Sequence, residues 1–113
     1  MRVWGKLTQF TGVEEPRSAR PPAVLALQFD QNPSRSRAGI RIALSRRAPV
    51  SLRVCDISGR IVRRLLDATV EPGSRNVAWD GCDGQGRAMP GGVYFCTLEA
   101  AGQRLTRKLV LLR

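Results

Sequence analysis

The chain has 113 residues, 42% of them hydrophobic and 25% charged, a composition that fits one globular domain and excludes a chain disordered throughout. Its 19 basic residues outnumber 9 acidic ones, giving a formal net charge of +10, and no apolar run approaches the roughly 18 residues of a membrane-spanning helix. It contains no His, which excludes the Ser-His-Asp and Cys-His catalytic arrangements and the commonest zinc ligand.

Residues 1–22 are predicted to be a linker or the remnant of an upstream domain. The stretch from Glu14 to Pro22 is charged and rich in proline, which favours an extended spacer. The segment MRVWGKLTQF lacks the apolar stretch and the cleavage site of a signal peptide. If the protein is exported, we expect either that this sequence is the end of a longer polypeptide with a passenger domain or that its true start is missing.

Residues 23–113 are predicted to form one all-β domain. Apolar and polar residues alternate in short segments, with turn signals at intervals of about 10 residues and no helical period. This spacing predicts an immunoglobulin-like β-sandwich of about seven antiparallel strands. The predicted strands are Val24–Phe29, Ile40–Leu44, Val50–Cys55, Ile61–Leu66, Arg75–Trp79, Val93–Ala100 and Leu105–Leu112.

The loop from Asp80 to Arg87 is too rich in Gly and Asp for regular structure. The preceding Trp79 is expected in the core, and Asp80 is expected to accept backbone N–H bonds within the loop. Asp80 and Asp83, with Gln85, are weak candidates for calcium ligands, because a calcium loop usually supplies more carboxylates than these two. No cofactor is predicted.

The three cysteines leave one pairing open. Cys55 and Cys96 could form a disulfide if their strands are neighbours, or both could be small apolar replacements for aromatic residues. Cys82 lies in the loop, and it is expected to be a free thiol with no base to activate it.

Several motifs occur in an order that resembles a known family. The chain contains Asn32-Pro33, then VSLRVCDISGR from Val50 to Arg60, then VAWDG from Val77 to Gly81 and GVYF from Gly92 to Phe95. This order resembles the FlgD-type immunoglobulin-like domain, a family that includes the C-terminal sorting domain of the type IX (Por) secretion system. The sequence departs from the family pattern at Cys55, where a Tyr is usual, and in the missing Phe after Asn32-Pro33.

The resemblance implies a non-catalytic C-terminal module, not an enzyme, that directs secretion or surface attachment of an upstream passenger protein. It also implies a secreted or cell-surface location. The alternative is a structural or adhesive module that stays on the mature protein and binds proteins or glycans. On the first interpretation, the secretion machinery or a cell-surface component would read six residues, here called the recognition set: Asn32, Pro33, Gly92, Tyr94, Lys108 and Arg113.

The positive charge is spread over nearly every predicted strand, with no alternation of Arg and aromatic residues. Nucleic-acid binding is therefore not predicted. A weak attraction to anionic polysaccharide or to an anionic cell surface is the partner that this charge pattern favours.

Overall fold

The computed structural model describes residues 23–113, and the predicted linker 1–22 lies outside them. The described residues form eight strands and no helix, so none of them could cross a membrane as a helix. Each predicted strand is present, and the all-β prediction is confirmed. The strands are β1 Leu25–Phe29, β2 Ser34–Arg35, β3 Ala38–Leu44, β4 Ala48–Cys55, β5 Ile61–Val70, β6 Gly73–Trp79, β7 Gly92–Ala100 and β8 Gln103–Leu112.

The strands form two sheets that pack face to face. One sheet has three strands in the order β1-β3-β6, and the other has five in the order β2-β8-β7-β4-β5. Alternate residues of β3 and β4 are buried between the sheets, including Ile40, Ile42, Leu52 and Val54. This is the arrangement that the period-2 pattern predicts for a sandwich with one buried face on each sheet.

Trp79 is at the centre of the core with no exposed surface. Its indole Nε1 donates to the carbonyl oxygen of Cys82 at 2.8 Å, so the one polar atom of the ring is satisfied. Its ring meets that of Tyr94 edge to face, with centroids 5.3 Å apart and planes at 67°. The Tyr94 hydroxyl donates to the Pro90 carbonyl at 2.6 Å. This aromatic pair therefore connects the two sheets, and its two hydrogen bonds fix the loop backbone at Cys82 and at Pro90.

The structure corrects two features of the prediction. Residues 34–35, which lie between the first two predicted strands, form an additional strand, β2, which pairs parallel to β8 through Ser34 with Leu111 and Arg35 with Leu112. The sandwich is therefore not wholly antiparallel. Strand β5 continues beyond Leu66 to Val70, because β4 begins at Ala48 and offers it partners along that length. Pairing with β4 thus carries β5 through Asp67 and Ala68, two residue types that are depleted in strands, to the β-branched Thr69 and Val70.

The pairing of Cys55 with Cys96 does not form. Their strands β4 and β7 are neighbours, as the disulfide would need, but Cys96 lies opposite Val54 and Cys55 lies opposite Phe95. Side chains of directly opposed residues share a face, so Cys96 points into the core with Val54 and Cys55 points outward. Cys96 belongs to the buried set of β7, with Tyr94, and all three thiols are free.

We expect Cys96 to resist thiol reagents in the folded protein. Burial raises the pKa of its thiol to about 12, so almost no thiolate is present at pH 8. Titration with Ellman's reagent under native conditions should count the partly exposed Cys55 and Cys82 and omit Cys96, while titration of the unreduced protein in denaturant should count all three. Fewer thiols in denaturant would show that a disulfide forms after all.

Candidate functional site

Asn32 is joined to the middle of β8 by its side chain. Its Nδ2 donates to the Lys108 carbonyl at 2.9 Å, and its Oδ1 accepts from the Val110 N–H at 3.0 Å. The side-chain amide thus makes the two hydrogen bonds to β8 that the backbone of a neighbouring strand would make. The backbone pairing of β2 with β8 begins two residues later, at Ser34. The role of Asn32 in the structure is to cover an open strand edge.

Arg113 is held in the same region. Its Nε donates to the Met89 carbonyl at 2.9 Å and its Nη2 to the Gly81 carbonyl at 2.6 Å. Strand β7 pairs with the other edge of β8, where Gly92 lies opposite Leu111 and Tyr94 lies opposite Leu109. The structure therefore brings Asn32, Gly92, Tyr94, Lys108 and Arg113 together around the second half of β8, with Pro33 next to Asn32.

Most polar groups of the recognition set are already used within the fold. The amide of Asn32, the hydroxyl of Tyr94 and the guanidinium of Arg113 each bond to backbone groups, which leaves the Lys108 side chain as the charged group of the set on the open sheet face. A partner that binds this region would therefore contact the Lys108 side chain and the side chains next to it.

Apolar side chains surround Lys108 on the solvent face of the five-stranded sheet. Ladder pairs place Ile61 beside Cys55, Cys55 beside Phe95, and Phe95 beside Lys108, while the next row is Val93 beside Val110. Ile61, Val93 and Leu112 are 40%, 37% and 39% exposed. We call this the apolar strip; its residues are Cys55, Ile61, Val93, Phe95, Val110 and Leu112.

The remainder of that sheet face is polar. Glu99 accepts from Arg53 at 3.0 Å and from Arg104 at 2.7 Å, and these bonds hold the pKa of the Glu99 carboxyl below its usual range. The Thr97 and Thr106 hydroxyls lie 3.2 Å apart in the same row as Arg53, between Glu99 and the strip. The apolar strip is therefore confined to one end of the face.

Two turns at the same end of the sandwich have equivalent geometry, one from Asp56 to Arg60 and the other from Asp83 to Arg87. In each, one Asp oxygen accepts from the backbone N–H two and four residues later, at 3.0 and 3.0 Å in the first turn and at 2.9 and 3.0 Å in the second. The fourth residue is Gly59 or Gly86, with φ of 88° or 85°. We call these the Asp-Arg turns, because Nε of the closing Arg lies 3.4 Å or 3.0 Å from the other Asp oxygen.

The two calcium candidates are engaged in other bonds. The Oδ1 atom of Asp80 accepts from the Cys82 N–H at 3.0 Å, which is the loop role expected for it, and from Arg63 at 3.0 Å. Asp83 belongs to the second Asp-Arg turn. Within residues 23–113, no group of three His, Cys, Asp or Glu side chains is placed to hold a metal ion. The oxygens of Asp80 and Asp83 stabilise the loop through N–H donors.

We expect acid to weaken the second Asp-Arg turn. Hydrogen bonds from the backbone of Arg87 and then of Gln85 lower the pKa of the Asp83 carboxyl below its unfolded value of about 3.9. The stabilisation is therefore complete above that unfolded value and is lost as the pH falls through the folded-state pKa. Urea unfolding between pH 6 and pH 2 should show a smaller loss of stability for Asp83→Asn than for the wild type.

Asp67→Asn is the matched control for this prediction. It removes the same charge from an exposed side chain that makes no hydrogen bond or ion pair among the described residues. It should leave the pH dependence of unfolding as in the wild type. Equal pH profiles for Asp83→Asn and the wild type would contradict the role of the turn.

The chain is similar in sequence and in fold to proteins of known structure. Residues 27–104 match the family model described as the FlgD Ig-like domain. The fold is similar to part of latent PorU from Porphyromonas gingivalis, with a TM-score of 0.65 and 21% identity over 83% of this chain and 10% of PorU. The fold is also similar to part of PorZ, a surface component of the type-IX secretion system of the same organism. The TM-score is 0.53, with 20% identity over 77% of this chain and 11% of PorZ. For FlgD from Pseudomonas aeruginosa the TM-score is 0.54, with 23% identity over 76% of this chain and 68% of FlgD.

This chain spans about a tenth of PorU and of PorZ. At sequence identities of 20–23%, the matched parts of the three structures have the same fold as this chain. A comparison with curated protein sequences finds no match.

Proposed function

The chain belongs to the FlgD Ig-like domain family, and we propose that its residues 23–113 act as a non-catalytic module that directs the secretion or the surface attachment of a passenger protein. The observation that carries this proposal is the apolar strip with Lys108 at its centre. The strip is a contiguous group of partly exposed apolar side chains, and contiguous apolar patches mark sites where another protein binds. Of the recognition set, Lys108 lies within this strip, whereas Tyr94 is buried on the core-facing side of β7.

The charges around the strip indicate what its partner presents. Lys108 stands beside Phe95, and Arg35 stands beside Leu112 in the β2–β8 ladder. Neither cation has an ion-pair partner among residues 23–113. Electrostatic complementarity therefore favours a protein surface with an apolar centre and acidic side chains at its edge, and it disfavours a second copy of this basic chain.

The similar structures support a role as a module of a larger protein. The matched part is about a tenth of PorU and of PorZ, and PorZ is itself a surface component of a secretion system. By analogy, we infer that the passenger precedes residue 23 and that the partner is a component of such a secretion machinery or of the cell surface.

The test is an export assay in a bacterium that has a type IX secretion system. Residues 23–113 are fused to the end of a reporter, and the reporter is measured in the periplasm, on the surface and in the medium. The unchanged module should carry the reporter out of the cell. A double variant of the strip, Val93→Glu with Leu112→Glu, should leave it in the periplasm, because both carboxylates would enter the partner interface.

The matched control is Gln28→Glu with Ser74→Glu, which adds the same charge to exposed positions of the three-stranded sheet. This control should be exported like the unchanged module. Export of the strip variant at the same level, or no export of either, would contradict the proposal. Mass spectrometry of the mature carboxyl end then separates a cleaved signal from the alternative, a retained adhesive module.

A further inference from the structure

The last residue of the first Asp-Arg turn, Arg60, and several residues of the second line an open groove with a volume of about 360 Å³. A hydrogen bond from the Gly84 N–H to the Val62 carbonyl, 3.2 Å long, ties the second turn to the strand that follows the first. Arg60 and Arg87 therefore line one cavity, although they are distant in sequence. Ile61, Met89, Asp83 and Gln85 line it with them.

Both arginines are accessible, and each is paired with the Asp of its own turn. Nε of Arg87 donates to Asp83 at 3.0 Å and Nε of Arg60 lies 3.4 Å from Asp56, and no hydrogen bond among the described residues involves the terminal Nη groups of either. The Arg side chains are 80% and 74% exposed, whereas the Asp side chains are 19% and 17% exposed and accept backbone N–H bonds. A ligand that enters the groove therefore meets guanidinium donors before it meets carboxylate oxygens.

We propose that this groove binds an acidic polysaccharide through sugar residues that carry carboxylates. A guanidinium fork matches a carboxylate in a bidentate geometry. The side chains of Ile61 and Met89 offer apolar contact for the C–H face of a sugar ring, and the Gln85 amide can bond to its hydroxyls. The net charge of +10 raises the local concentration of a polyanion. This binding goes beyond the proposed function and would hold whether or not the module directs export.

The experiment is titration calorimetry of the full chain with a galacturonate trimer, and with a neutral galactose trimer as the comparison probe. The acidic trimer should bind and the neutral one should not. In Arg60→Gln with Arg87→Gln the dissociation constant should rise by about tenfold or more, the loss expected when charge-assisted bonds are removed. Arg64→Gln with Arg75→Gln removes the same charge at exposed positions on β5 and β6, and it should change the constant by less than about twofold.

Two further measurements keep the result interpretable if the glutamine variant is unstable. Arg60→Lys with Arg87→Lys keeps the charge and loses the forks, and it should also weaken binding. In the wild-type protein, amide shifts during the titration should be concentrated at Gly84, Gln85 and Met89. Equal weakening by both glutamine pairs, shifts spread over the whole surface, or equal binding of the neutral trimer would overturn the proposal, and none of these outcomes bears on the export assay.

Discussion

Replacement of Trp79 by alanine is expected to remove a large part of the domain's free energy of unfolding at 25 °C. The side chain is fully buried, and removal of a buried aromatic ring from a core costs about 3–5 kcal/mol. The edge-to-face contact with Tyr94 and the N–H bond to Cys82 are lost with it. The free energy of unfolding of a small domain is only about 5–15 kcal/mol, so this one substitution removes a large fraction of it. Urea unfolding followed by far-ultraviolet circular dichroism measures the change.

Trp79→Phe is the informative companion to this variant. It keeps most of the apolar volume and the aromatic contact but leaves the Cys82 carbonyl without its donor. We expect a loss of about 1–2 kcal/mol, well short of the alanine variant. If both variants unfold at the wild-type urea concentration, the proposed centre of the core is wrong.

Gly81→Ala is expected to be the most disruptive of the glycine substitutions in the loops. Gly81 has φ of 78°, a conformation that costs a residue with a side chain about 1–2 kcal/mol. An added Cβ would also overlap the Ser36 carbonyl oxygen and approach Nη2 of Arg113 to 2.7 Å. The backbone must then shift, and it would take with it the Arg113 bond to the Gly81 carbonyl. We expect a total loss of about 3 kcal/mol or more, the range of severe single substitutions.

Gly86→Ala separates the two causes. Gly86 has a similar φ of 85°, but nothing lies within 4 Å of the Cβ it would gain. Its loss of stability should therefore contain the conformational cost alone, the same value of about 1–2 kcal/mol. The difference between the two alanine variants measures the contact of the loop with Ser36 and Arg113. Similar losses for both would show that the contact is unimportant.

The sequence predicts the core well because the core depends on patterns within single strands. Alternation in Ile40–Leu44 and Val50–Cys55 locates the buried faces of β3 and β4, and the aromatic character of Trp79 places it inside. The Asx role of Asp80 is also predictable, since its partner Cys82 is two residues away.

The features that sequence reasoning missed depend on pairing between distant segments. Strand β2 has two residues, too few for a period, and Asn32 meets residues 76 and 78 positions further along the chain. The orientation of Cys96 required knowing which alternate set of β7 faces the core, because both sets contain apolar residues. The equivalence of the two Asp-Arg turns did have a sequence signal, Asp followed by Gly-Arg three and four residues later, and it was readable from Asp56 and Asp83.

The bond pattern of Asn32 has a consequence for the chemical lifetime of the protein. Deamidation would replace the Nδ2 donor by a carboxylate oxygen facing the Lys108 carbonyl, so an attractive contact at β8 would become a repulsive one. Asparagine deamidates chiefly when the backbone nitrogen of the next residue attacks the side-chain amide. Here that residue is Pro33, whose nitrogen carries no hydrogen and cannot form the cyclic imide. The neighbour of Asn32 thus protects the covering of the β8 edge against chemical ageing.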